Sequence, residues 1–165
     1  MKKLRLLLFE KCDRNCDGCC NKDWDLSSLE TEDNFNQYDI VMLTGGEPML
    51  STSIIIDTVY KIRKQSNALV YLYTAKTEPT SLLINILSII DGVTITLHEQ
   101  NDVSKFLILN DALIKIPNIN DKSLRLNIFD NINIDTSKLY LWAIKDKIKW
   151  IKNCPLPENE VFKRV

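Results

Sequence analysis

Short apolar runs that alternate with helical segments constrain this chain most. Leu4 to Phe9, Tyr38 to Thr44, Ala68 to Thr74 and Val93 to His98 are continuous apolar runs of buried-strand length. A helix is expected from Ser51, Thr52 or Ser53 to about Gln65, because those hydroxyls can cap it and Ile55, Val59 and Ile62 recur at helical spacing. Pro79-Thr80-Ser81 opens a second helix through Ile90, ended by Gly92. Val103 to Leu113 reads as a third, with Phe106, Leu107 and Leu113 inward. Ile114 to Ile116 and Leu124 to Phe129 read as further strands, and Leu139 to Ile144 fits strand or helix. The acidic stretch through Asn36 holds at most a weak helix. The tail from about 153 to 165, with Pro155 and Pro157, is expected to be irregular.

This order predicts βαβ units, hence an α/β fold with a mostly parallel sheet of five or six strands. The 165 residues fit one domain and fall short of the roughly 250 that a closed eight-stranded barrel needs. The expected architecture is therefore an open sheet or a partial barrel. In either, ligands gather at the C-terminal strand ends. That places on one rim a cysteine loop (residues 10 to 24), Gly45-Gly46-Glu47-Pro48, Thr74 and His98-Glu99.

Composition narrows the function classes. With 21 basic and 22 acidic residues there is no overall basic field for nucleic acid. No apolar run reaches bilayer length, and the start is too soon charged for a signal peptide, so no membrane partner and a cytoplasmic location are expected. Charge is uneven: residues 10 to 39 carry nine acids against three bases, and residues 138 to 152 carry five lysines against one acid. The lysine stretch reads as a solvated face or as a docking surface for an acidic redox carrier.

Four of the five cysteines fall between positions 12 and 20. A disulfide framework spreads its cysteines to close useful loops, and this crowding fits one poorly. Cys12, Cys16 and Cys19 can hold three irons of a cubane cluster, leaving the fourth iron open. A zinc site prefers two separated cysteine pairs, which a single loop with a vicinal pair matches less well. Cys20 reads as a plain buried thiol or a functional second thiol, and Cys154 as a structural thiol. The paired glycines let backbone approach closely, and N–H groups there can receive a carboxylate. Glu47 beside them can accept from an ammonium group. Thr74 suits a ribose or carboxylate contact, or its own backbone. His98, the only histidine, and Glu99 are candidate catalytic groups, with Asn127 and Asp130 ranked alongside Glu99. Trp142 and Trp150 read as packing residues.

In combination, Cys12-x3-Cys16-x2-Cys19 after the first strand and Gly45-Gly46-Glu47-Pro48 after the second resemble the radical S-adenosylmethionine (SAM) superfamily. The resemblance covers the first half of the chain well and continues as βα alternation to about His98. It implies a partial (βα)6-type radical SAM barrel with an open side, carrying a [4Fe–4S] cluster whose open iron chelates SAM. By the same resemblance Gly45 and Gly46 help bind the methionine part and Glu47 contacts its ammonium, with Pro48 and Thr74 also in the cofactor site, and reductive cleavage gives a 5′-deoxyadenosyl radical that abstracts hydrogen from a substrate. Gly18 departs from the family, which has an aromatic residue there packing near adenine; Trp24 or Tyr73 would have to replace it. The small size is similar to that of anaerobic ribonucleotide reductase activases, which generate a glycyl radical on a large protein partner. Alternatives are a small-molecule enzyme of the short deazaguanine-forming type, completed by a homodimer, and a non-catalytic iron–sulfur or zinc module. A flavodoxin or ferredoxin is the reductant the resemblance implies.

Overall fold

A computed structural model describes all residues, 1–165, as an α/β protein with a seven-stranded, all-parallel sheet and three α-helices. The strands are β1 (Lys3–Leu7), β2 (Ile40–Thr44), β3 (Leu69–Thr74), β4 (Gly92–Leu97), β5 (Ser123–Phe129), β6 (Ala143–Ile148) and β7 (Glu160–Arg164). The helices are α1 (Thr52–Gln65), α2 (Thr80–Ile89) and α3 (Asn101–Leu113). The sheet order is β6-β5-β4-β3-β2-β1-β7, so β1 to β6 lie side by side in chain order. Such consecutive winding with crossovers of one hand puts the helices on one face of the sheet.

Alternation along each strand divides the two faces. Leu4, Leu6, Val41, Leu43, Val70, Leu72, Val93, Ile95, Leu124 and Leu126 are buried in one cluster with Ile55, Val59 and Ile62 of α1, Leu83 and Ile86 of α2, and Phe106 and Leu109 of α3. The opposite parity carries Arg5, Met42, Tyr71, Tyr73, Thr96, Arg125 and Asn127, a mixed and half-open face with no helix on it. No helix is long and apolar enough to cross a membrane.

Several expectations are corrected. Residues 114 to 116 are the turn that closes α3, not a strand. Leu107 faces outward, because the inward positions of α3 are Phe106, Leu109, Asn110 and Leu113. Gly92 opens β4 rather than ending α2. The strand near the C-terminus runs over 143–148, not 139–144: Leu139 and Trp142 reach the core from a turn, and Trp142 donates to Asn110 Oδ1 at 3.0 Å. The tail is not irregular throughout, since β7 pairs in parallel with β1 from Lys3↔Glu160 to Leu7↔Arg164. The outer edge of β7 is covered by residues 30 to 32, through Arg164 N–H to Glu30 O and Glu32 N–H to Arg164 O. The acidic stretch before β2 forms two short 3-10 turns, Cys20–Lys22 and Leu26–Ser28.

Candidate metal centre and the cavity around it

The C-terminal ends of β1 to β4 bring the predicted rim together. One cavity of about 150 Å³ is lined by Cys12, Cys16, Cys19, Gly46, Glu47, Tyr73, Thr74, Thr96 and His98, with Arg14 and Ala75. A neighbouring space of about 270 Å³ shares Cys16, Cys19, Tyr73 and His98 and adds Arg5, Cys20, Asn21, Trp24, Met42, Thr44, Gly45, Trp150 and Phe162.

The glycine pair is explained by backbone crossing backbone. The stem of the cysteine loop passes over it: Gly46 N–H donates to Phe9 O at 2.8 Å and Glu47 N–H to Lys11 O at 2.9 Å. A Cβ on Gly46 would lie 2.0 Å from Lys11 O, and one on Gly45 2.6 Å from Phe9 O. The Gly46 and Glu47 N–H groups are therefore engaged by the loop stem, where the sequence suggested a carboxylate ligand. Asn21 closes the far side of the loop, its Nδ2 donating to Gly45 O at 2.7 Å. Pro48 opens a 3-10 turn capped by Glu47.

Glu47 is 2 % exposed. Its Oε1 accepts from Met49 N at 3.0 Å and from the Thr74 hydroxyl, and its Oε2 accepts from Ala75 N at 3.0 Å. A carboxylate has about four acceptor positions, so three are used and the group stays at the cavity wall with one left. Thr74 is fixed in turn, accepting from Lys76 N at 2.9 Å.

His98 sits over the loop, its Nδ1 4.0 Å from Cys16 Sγ. Burial, then the Arg14 charge, pull its pKa down to about 4 against the pull of Asp102, so the ring is neutral at pH 7. Burial also raises the thiols of Cys12 and Cys16, the first against a hydrogen bond from Arg14 N–H, so both are protonated at pH 7. Glu99 lies apart, lining a polar recess with Asp13, Lys76 and Lys105. Asn127 Nδ2 donates to Thr96 Oγ1 at 3.4 Å on the open face, and Asp130 is exposed beyond the end of β5.

Two features lacked any local sequence signal. Arg14, between the first two cysteines, forms a bidentate pair with Asp102 at 2.6 and 2.9 Å and donates to Ala75 O at 3.1 Å. The Asp102 carboxylate also accepts from His98 N and Glu99 N, both at 3.0 Å, so one carboxylate ties the cysteine loop, the end of β4 and the start of α3. Cys20 and Cys154 are not free thiols: they form a disulfide across 134 residues, with Cα atoms 5.5 Å apart. Cys20 is thereby engaged, while Cys12, Cys16 and Cys19 remain free. The place over Gly18 is taken by Trp150, not by Trp24 or Tyr73, which line the same space; a Cβ on Gly18 would lie 2.3 Å from Trp150 Cγ. Trp150 is thus a site residue and not only packing.

The donor set bears on the metal. No three His, Cys, Asp or Glu side chains stand close enough to hold a single ion. The three free thiols of Cys12, Cys16 and Cys19 line one cavity. No family model matches the chain, and no curated protein matches it.

Proposed function

We propose that this chain is a radical SAM enzyme built on a partial βα barrel with an open side. The observation that carries this is the convergence of Cys12, Cys16 and Cys19 with Gly46, Glu47 and Thr74 on one cavity, while Cys20 is engaged by Cys154. Cys12, Cys16 and Cys19 would hold a four-iron cluster, whose fourth iron would be left for an outside ligand. When bound, a [4Fe–4S] cluster supplies the electron that cleaves the sulfonium of SAM to methionine and a 5′-deoxyadenosyl radical, which takes a hydrogen atom from substrate. The chain's own residues orient and shield. Glu47 keeps one acceptor position for an ammonium group, and the neutral ring of His98 adds no charge beside the thiols. Tyr73, Met42, Trp24 and Phe162 make the adjoining wall apolar, which excludes water.

The substrate class that suits an open sheet face is a segment of a protein partner, as in glycyl radical activation; a small molecule acting in a homodimer is the alternative. The exposed Lys138, Lys145, Lys147, Lys149 and Lys152 form no ion pair and suit an acidic one-electron donor of the flavodoxin or ferredoxin type. Anaerobic reconstitution with iron and sulfide tests the proposal. The wild type should take up about four irons per chain, show a cubane spectrum perturbed by SAM, and yield 5′-deoxyadenosine when reduced. Ser at Cys12, Cys16 or Cys19 should abolish all three. A colourless protein holding one zinc would overturn the assignment.

A further inference from the structure

The edge strands β6 and β7 are consecutive in sequence yet lie at opposite margins of the sheet, six strand spacings apart. Eleven residues (149–159) join them, turning at 152–153, where Asn153 and Cys154 take positive φ, and again at 158–159. This strap crosses the face that carries no helix, where Trp150 and Cys154 line a cavity of about 310 Å³ together with Arg5, Thr96 and Asn127 of the sheet. No backbone N–H of residues 149–159 donates a hydrogen bond to the protein. Apart from Asn159, whose carbonyl accepts from Lys3 N–H at 2.9 Å and whose Nδ2 donates to Met1 O at 3.2 Å, two side chains hold it. Trp150 stacks on His98 with ring centroids 5.2 Å apart, packs on Phe129 at 4.3 Å and fills the space over Gly18. Cys154 is joined to Cys20, the neighbour of Cys19.

We propose that residues 149–159 are a removable wall of the cysteine cavity, with Trp150 as its shielding side chain and the Cys20–Cys154 bond as its latch. Trp150 lines the space that contains Cys16 and Cys19, whereas Cys12 lines only the neighbouring one. The wall therefore shields two of the three free thiols. A strap without ladder hydrogen bonds belongs to the least stable part of a fold, so its position depends on the latch. Closing removes two electrons and two protons from the Cys20 and Cys154 thiols; a small-molecule disulfide such as oxidised glutathione accepts them and leaves as two thiols. Opening is the reverse exchange with a dithiol, which ends as its own disulfide. Entry to the thiol loop is then set by the thiol–disulfide balance around the protein.

Metal-free full-length protein tests this independently of the radical proposal. Wild type closed with limiting oxidised glutathione is compared with Cys154→Ser and with crosslinked Trp150→Ala in a time course of N-ethylmaleimide labelling, read cysteine by cysteine by peptide mass spectrometry. The wild type should give a crosslinked Cys20–Cys154 peptide. Labelling of Cys16 and Cys19 should rise about tenfold in both variants, as for a shielded site whose opening equilibrium shifts by a decade, while Cys12 keeps its rate. Absence of the crosslinked peptide, equal rates at Cys16 and Cys19, or a matching rise at Cys12 would each overturn the proposal.

Discussion

Asp102→Asn is the most informative single change to the frame of the site. The wild-type carboxylate accepts four hydrogen bonds, two from Arg14 at 2.6 and 2.9 Å and two backbone donors at 3.0 Å. The side chains of Asp102 and Arg14 are only 6 % and 17 % exposed. Breaking a fully buried pair costs about 3–5 kcal/mol, and the water left around Arg14 reduces this, so about 2–4 kcal/mol is expected. For a domain of this size each kcal/mol is about 2–4 °C, giving a fall of roughly 4–16 °C in Tm. Urea unfolding at pH 7 followed by circular dichroism gives the loss, and Arg14→Met with the double variant gives the coupling, expected near 1.5 kcal/mol or more by analogy with other networks. The pH dependence has a definite sign. Burial raises the Asp102 carboxyl, but the Arg14 guanidinium and the two N–H groups outweigh it and hold its pKa below the usual value. The stabilisation is thus complete above about pH 4 and is lost as pH falls through the folded pKa. The gap between wild type and Asp102→Asn should narrow on acidification. A loss under about 0.5 kcal/mol at pH 7, or additivity with Arg14→Met, would refute the clamp.

Two further changes probe the surroundings. Gly46→Ala drives a Cβ to 2.0 Å from the Lys11 carbonyl, where backbone meets backbone, and should cost at least about 2 kcal/mol in urea unfolding, more than Gly18→Ala, which meets only the Trp150 side chain. Asn110→Ala removes the acceptor of the buried Trp142 indole N–H and should cost about 1–3 kcal/mol with a red-shifted Trp142 emission.

The strands that sequence makes legible are those buried on the helix side. β2, β3 and β4 are nearly continuous apolar runs because each lies between two neighbours and under helices. β6 and β7 lack that signature for the same physical reason. As edge strands they bury little, so AIKDKI and EVFKR read as charged or irregular sequence. β7 also depends on a partner more than 150 positions away, and no local period encodes a pairing of that separation. The apolar run of residues 139 to 144 misleads because Leu139 and Trp142 serve the core from a turn.

At the site, residue types were legible and their partners were not. Paired glycines announce a close approach, but only the fold reveals that the approaching group is the Phe9-to-Lys11 backbone and not a ligand. The crowding of four cysteines between positions 12 and 20 read against a disulfide, yet Cys20 forms one. Its partner became visible only once the strap returned Cys154 across the open face. The consequence is physical. The cysteine loop is fixed by its stem on Gly46, by Asn21 on Gly45, by Arg14 on Asp102 and by Cys20 on Cys154, and none of these contacts uses Cys12, Cys16 or Cys19. Those three sulfurs make only the long contacts of Cys12 Sγ with Arg14 N–H at 3.4 Å and of Cys16 Sγ with His98 Nδ1 at 4.0 Å, so most of what fixes the loop lies outside them. Serine at any of the three should then remove metal binding while the unfolding midpoint of the metal-free chain stays close to that of the wild type.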